Sequence, residues 1–332
     1  MDNFRAFRID EQDSKIVAGF QQITIDDLTE GNVVVRVTHS TINYKDALAA
    51  TGKGRILRRY PLNGGIDLAG VVVSSEDVEF QPGTEVLVNG CGLSETVDGG
   101  YSEYARLDSQ SLVPVPEGMT CTQAMQIGTA GYTAALAIHR MEQNGQAPDL
   151  GPIVVTGATG GVGSIAIDML AGRGYEVAAV TGKADEEAYL KAIGARQIVL
   201  RDEIDFGKRP LEKALWAGAI DNLGGDYLTW LTRTMDYGGN IASIGLAAGH
   251  ELNTTVMPFI LRAVCLLGIN SVETPRDLRR AVWARIGGDL MPGHLDMIGS
   301  RTIAFDELPG AFQAYIDGTV TGRVVVEVTP ER

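Results

Sequence analysis

The chain has 332 residues, 45% of them hydrophobic, with 41 glycines and a formal net charge of −14. Length and apolar content allow two domains with sizeable cores, and the acidic balance excludes the basic face that nucleic-acid binding needs. No apolar run approaches about 18 residues and no basic-plus-apolar leader is present, so neither a membrane span nor secretion is expected, and the expected address is cytoplasmic.

Residues 1–122 read as short strands with alternating patterns, such as Val33 to Val37 and Ile66 to Val73. Turn signals at Gln81-Pro82-Gly83 and Pro114-Val115-Pro116-Glu117-Gly118 separate them, which predicts a β-rich, barrel-like domain. One cluster breaks the acidic background: Lys53, Arg55, Arg58 and Arg59 lie in the loop-like segment Thr51 to Tyr60. Such a run is commonly a solvated face; with a phosphate-bearing substrate it becomes a docking site. Cys91, Cys121 and Cys265 are far apart, in neither a disulfide framework nor metal-type spacing, and read as packing residues.

The most informative stretch is Ile153-Val154-Val155-Thr156-Gly157-Ala158-Thr159-Gly160-Gly161-Val162-Gly163. It predicts a buried strand passing through a glycine turn into a helix, whose N-terminal N–H groups and dipole favour a pyrophosphate. Ile165 with Met169 and Ala166 with Leu170 continue the helix at i, i+4 spacing, and Gly172 and Gly174 end it. A second strand, Glu176 to Val180, completes a βαβ unit. Where an NAD site usually carries a carboxylate for the ribose hydroxyls, this chain has Thr181-Gly182-Lys183, which welcomes a 2′-phosphate. Arg201, after the apolar run Gln197 to Leu200, supplies a second cation, and NADPH is the expected cofactor.

Further strands are expected to end near Asp221-Asn222, Ile244-Gly245 and Ile269-Asn270, continuing an open parallel sheet. The β-branched segment Gly322 to Val328 is expected to rejoin the N-terminal domain. The predicted fold class is therefore α/β: a Rossmann-type doubly wound sheet over 123–295 and a β-rich domain over 1–122 and 296–332.

These residues carry a family resemblance. The β-rich start, then Gly128-Thr129-Ala130-Gly131-Tyr132-Thr133-Ala134, then the glycine turn, resemble the medium-chain dehydrogenase/reductase superfamily. Asn43-Tyr44-Lys45-Asp46, Gly65-Ile66-Asp67-Leu68-Ala69-Gly70, Lys208-Arg209-Pro210-Leu211-Glu212, Val256-Met257-Pro258-Phe259-Ile260-Leu261-Arg262 and Gly322-Arg323 resemble its acrylyl-CoA reductase branch (AcuI/YhdH), often labelled quinone oxidoreductase. The resemblance runs nearly end to end and implies a GroES-like β-domain, a Rossmann domain and, commonly, a homodimer.

Zinc members of the superfamily carry Gly-His-Glu where this chain has Gly65-Ile66-Asp67, and a cysteine near Asn43 to Asp46. Three scattered cysteines and four scattered histidines (His39, His139, His250, His294) match neither a catalytic nor a structural zinc set. Chemistry whose oxyanion is held by hydrogen bonds is then expected. Reduction of an electron-poor C=C bond meets that demand: NADPH hydride reaches the β-carbon of an enoyl thioester, charge spreads onto the thioester oxygen, and a proton is added at the α-carbon.

The resemblance implies that Asn43, Tyr44 and Asp46 lie beside the nicotinamide, Asn43 orienting the ring or the substrate carbonyl and Tyr44 touching the cofactor. Asp46 either shapes that loop or relays a proton, water being the other donor; alternatively Asn43 to Asp46 form only a capped turn. It also implies cofactor contacts from Leu246, Ile260 and Ser271, with ordinary core packing as the alternative for the two apolar residues. Arg323 either reaches the substrate or pairs with surface acid.

Departures from the branch fall in one region. Asn63-Gly64-Gly65-Ile66-Asp67 replaces a segment that usually begins with proline, Gly90 to Gly100 lacks the usual tryptophan text, and Asn270 stands where aspartate is common. The acyl pocket is therefore expected to differ while the hydride machinery stays. Acrylyl-CoA is the first expected substrate, a quinone or enone the second, and an NADPH-binding sensor without turnover the alternative of another class.

Overall fold

The computed structural model describes residues 3–330. They form two compact units: one built from the chain up to Thr129 with Val272–Gly287 and the segment from Gly299 on, the other from Ala130–Ser271 and Gly288–Ile298.

In the first unit, β1 (Phe4–Gln12) and β2 (Lys15–Ile23) make an antiparallel hairpin. There follow β3 (Val33–Thr41), α1 (Tyr44–Thr51), β4 (Leu62–Asn63), β5 (Asp67–Ser75), β6 (Glu85–Asn89), β7 (Tyr104–Leu107) and β8 (Val113–Pro114), then α2 (Cys121–Gln143), whose residues from Ala130 on belong to the second unit. Val33, Val35 and Val37 of β3 all point into the core beside Leu68, Val72, Val86 and Val88, as the two-residue period requires. The helix α2 is broken at Gly128, whose φ of 50° and ψ of −157° are not helical.

The second unit contains β9 (Ile153–Thr156), α3 (Gly161–Gly172), β10 (Val177–Thr181), α4 (Glu187–Ala192), β11 (Gln197–Leu200), β12 (Trp216–Asp221), α5 (Gly225–Thr234), β13 (Met235–Ser243), α6 (Met257–Arg262) and β14 (Cys265–Gly268). Its six strands are all parallel, in the order β11-β10-β9-β12-β13-β14. The order reverses between β9 and β12, so the glycine turn after β9 opens at the switch point where such sheets collect ligands. Two of the branch segments meet at the other end of the sheet, where β12 and β13 begin. Glu212 closes the turn Lys208–Glu212 by accepting from the N–H groups of Lys208 and Arg209, and Arg262 donates to the Glu212 carbonyl and to those of Arg233 and Met235.

The strand ends differ slightly from the predicted ones. The second strand of the βαβ unit runs one residue further, to Thr181, because Thr181 stays in register with Leu200. The strand expected to end near Ile244 stops at Ser243, where the Ile244 and Gly245 N–H groups turn to the Asp221 carbonyl.

The chain returns to the first unit through α7 (Arg276–Ile286), then, after α8 (Leu295–Ile298) in the second, through β15 (Arg301–Ala304), α9 (Leu308–Ile316) and β16 (Val324–Glu327). The last strand pairs with β15 and lies antiparallel to β3, with Val325 opposite Thr41. That pairing carries Arg323 to the start of α1.

Candidate active site

The N-terminus of α1 is set by its own sequence. Asn43 has extended backbone (φ −113°, ψ 160°) at the N-cap, and Asp46, three residues on, accepts from the Asn43 N–H at 2.8 Å and from Nδ2 at 3.1 Å. The other Asp46 oxygen accepts from the Ile66 N–H at 2.9 Å. Asp46 is buried, and that burial, reinforced by the charge of Asp67, lifts its pKa to about 7 against the pull of these donors. It therefore braces the loop from beneath, while Tyr44 is left 51% exposed at the first helical position.

Beneath that cap lies a second buried carboxylate. Asp67 accepts from Asn43 Nδ2 at 2.8 Å, from the Thr129 N–H at 2.9 and 3.0 Å, and from Thr129 Oγ1 at 2.5 Å. Burial raises its pKa, and Arg323 with the Thr129 donors opposes that rise. The guanidinium of Arg323 donates to Asn43 Oδ1 at 3.0 Å, to Thr41 Oγ1 at 2.5 Å and to the Gln126 carbonyl at 3.2 Å. Arg323 was expected to face substrate or surface acid; at 3% exposure it faces neither. The strand β16 turns it inward, and a buried guanidinium must be paired. Gly128 crosses directly above, and a Cβ there would lie 2.7 Å from Arg323 Nη2 and 2.9 Å from Asp67 Oδ2.

The basic cluster is divided by the fold. Arg55 and Arg58 line a cavity of about 390 Å³ with Lys45, Ile56, Leu57 and Glu95. Lys53 and Arg59 are exposed and do not line it. Glu95 forms an ion pair with Lys45 and stands 4.0 Å from Arg58. Arg58 and Glu95 also line a second cavity of about 350 Å³, which contains Cys91, Thr96, Thr274 and Arg279.

In the second unit, the glycine turn has the form a pyrophosphate needs. Gly157 takes φ 61°, open to glycine with little cost. Any Cβ on Gly163 would overlap the Gly157 carbonyl and Ala158, so the helix packs tightly on the turn. Gly160 caps α3 without a side chain, leaving the approach to the helix N-terminus clear for an anion. Thr181, Gly182, Lys183 and Arg201 are brought together. Thr181 Oγ1 accepts from the Lys183 N–H at 3.0 Å, and Arg201 lies so close over Gly182 that a Cβ there would overlap its guanidinium. Burial lowers the Lys183 pKa. Two cations around a bare backbone fit a 2′-phosphate.

Two family models match the chain, one described as alcohol dehydrogenase GroES-like domain over residues 29–117 and one as zinc-binding dehydrogenase over residues 161–286. Acrylyl-CoA reductase AcuI of Ruegeria pomeroyi is 46% identical over 96% of this chain and 97% of its own. The chain belongs to the medium-chain dehydrogenase/reductases, in the AcuI branch. The putative quinone oxidoreductase YhfP of Bacillus subtilis is 44% identical over 98% of this chain and 99% of its own. Its crystal structure with NAD bound matches with a TM-score of 0.96, covering 98% of this chain and all of that one. The yhdH oxidoreductase of Salmonella enterica, crystallised with NADP, is 46% identical, with a TM-score of 0.94 over 98% of this chain and all of that one.

In this medium-chain reductase, no group of three or more His, Cys, Asp or Glu side chains among the described residues is arranged to hold a metal ion. Leu246 and Ile260 are not core: they are 67% and 70% exposed, Leu246 in the loop that follows the carboxyl end of β13 and Ile260 on α6. Ser271, half-buried, ends the segment Ala130–Ser271 of the second unit. Asp67, Thr129, Lys45, Glu95 and Arg279 were not singled out as site residues from the sequence. Asp67, Thr129 and Lys45 lie inside segments already marked by the family resemblance, but nothing in their spacing says that they meet.

Proposed function

We propose that this reductase uses NADPH to saturate the C=C bond of a short enoyl-CoA thioester, converting acrylyl-CoA to propionyl-CoA. The observation that carries this is the 46% identity to AcuI along nearly the whole of both chains. The cation-lined cavity beside α1 supports a phosphate-bearing substrate.

NADPH, when bound, supplies hydride for the β-carbon. The N–H groups around Gly160, Gly161 and Val162, with Gly157, Thr159 and Gly163 shaping the turn, hold the pyrophosphate. Thr181, Gly182, Lys183 and Arg201 hold the 2′-phosphate, and Leu246, Ile260 and Ser271 give further cofactor contacts. Tyr44 touches the cofactor, and Asn43, fixed by Asp46, Asp67 and Arg323, orients the ring or the thioester carbonyl, where negative charge develops. Asp46 is sealed from solvent with both oxygens already accepting. That favours water as the proton source at the α-carbon and leaves Asp46 the task of holding the loop.

The enzyme is proposed to work in the cytoplasm as a homodimer. The edge strand β14 exposes Leu266, with Ile260 and Leu261 of α6 also exposed, and such an apolar edge suits a second copy. The deciding experiment follows NADPH oxidation with acrylyl-CoA, crotonyl-CoA, a simple quinone and no acceptor. Turnover with the thioesters is expected. Turnover with the quinone alone would replace this function with quinone reduction, and NADPH binding without turnover would replace it with a sensor.

A further inference from the structure

The loop Gly90 to Val97 is held in an unusual form. Gly90, Cys91, Gly92 and Ser94 all take positive φ, at 66°, 52°, 82° and 59°. Cys91 and Ser94 do so without being glycine, a conformation that persists only where the surroundings impose it. The surroundings are hydrogen bonds: Cys91 N–H donates to the Val272 carbonyl at 3.1 Å, Ser94 N–H to Val97 at 2.8 Å, and Arg58 N–H to the Glu95 carbonyl at 2.8 Å. What this loop presents is Glu95, a carboxylate with only 11% of its side chain exposed, in the wall shared by the two cavities.

The partners of Glu95 are unequal. Lys45 is ion-paired to it and partly covered, whereas Arg58 stands at 4.0 Å with 69% of its side chain exposed. An exposed pair at that distance contributes little and is readily exchanged. A phosphate offers Arg58 two charged oxygens in the planar geometry a guanidinium prefers, and so displaces a single distant carboxylate.

We infer that Glu95 is an internal stand-in for the substrate's phosphate, a residue that determines specificity by occupying Lys45 and Arg58 until a phosphate-bearing thioester takes Arg58 from it. This rests on the thioester reading above. Glu95 lowers the affinity for anions in general, and only a multiply charged ligand overcomes it. A neutral acceptor neither needs Arg58 nor is opposed by Glu95, so the residue acts on one substrate class and not the other.

The test is Glu95→Gln in the full-length protein with NADPH bound. Calorimetry with free coenzyme A at low and high salt reads binding, and KM and kcat are measured for acrylyl-CoA and for the neutral enone methyl vinyl ketone. Expected are about three- to tenfold tighter coenzyme A binding and lower acrylyl-CoA KM at low salt, a steeper salt dependence, and enone parameters within about twofold. The gain should vanish in an Arg58→Gln background. Unchanged or weaker coenzyme A binding, or an enone KM that moves by the same factor, overturns the proposal. Should Glu95→Gln fail to fold, Glu95→Asp, whose carboxylate draws back from Arg58, is expected to give a smaller gain of the same sign, and no gain overturns it equally. A wild-type enzyme that turns over no thioester refutes the proposed function, whereas the coenzyme A titration judges Glu95 separately.

Discussion

Asp67 Oδ2 and Arg323 Nη2 stand 3.8 Å apart, both side chains sealed from solvent, with the backbone of Gly128 laid across them. The pair joins β5 to the residue before β16 and, through Asn43, fixes the first turn of α1. Removing one partner leaves the other buried and uncompensated, so Arg323→Met is expected to cost about 3–5 kcal/mol in urea unfolding. Gly128→Ala should also destabilise, since it adds a Cβ at positive φ against both charged groups. A loss below about 1 kcal/mol for Arg323→Met would mean that the pair does not hold the site.

Cofactor preference should reside in Arg201 and Lys183. Gly182→Ala forces the Arg201 guanidinium off the backbone, and is expected to weaken NADPH about tenfold while leaving NADH within about twofold. Lys183→Glu should act in the same direction and more strongly. Fluorescence titration with both nucleotides distinguishes this from an equal loss, which would place the 2′-phosphate elsewhere.

Stability should carry the signature of Asp46. Burial chiefly, with the charge of Asp67, lifts the folded pKa of Asp46 to about 7, well above the ordinary aspartate value of about 3.9. The folded chain therefore binds more protons between those values, so the contribution of this group is complete below about pH 4 and is lost as pH rises through 7. The stability difference between wild type and Asp46→Asn should fall from pH 5 to pH 8, and a flat difference would show that Asp46 titrates normally.

Of the four cations in the segment Thr51 to Tyr60, only Arg55 and Arg58 line the cavity. Arg58→Gln is expected to raise the KM for a coenzyme A thioester several-fold and to reduce its salt sensitivity. Arg59→Gln should change neither. Equal effects from both would mean that the cluster acts as a diffuse positive field and not through the cavity.

Tyr44 offers a test that separates chemistry from folding. Being half exposed, Tyr44→Ala should shift stability by less than about 0.5 kcal/mol. Turnover should nonetheless fall if the ring meets the cofactor, and an unchanged kcat would leave Tyr44 as a helix-surface residue only.

Much of this was legible from local pattern. The turn Gly157 to Gly163, the strand before it and the helix after it are determined within one short window, where glycine placement and apolar period act together. The cap Asn43 to Asp46 was legible as a capped turn for the same reason. Strand ends were less so, because Thr181 and Ser243 are settled by register with neighbouring strands and not by their own propensities.

The sequence by itself determined the dinucleotide fold, the cationic end of its second strand and the family, since each is a property of contiguous residues. Only the tertiary structure decided what Arg323 does. Its place at the head of the β-branched segment Gly322 to Val328 says only that it leads into a strand, whereas burial beside Asp67 and Asn43 makes it the brace of the loop that opens α1. It likewise divided the basic cluster and brought Glu95 between Lys45 and Arg58. A charge draws its role from what lies within a few ångströms of it, and those neighbours come from distant parts of the chain.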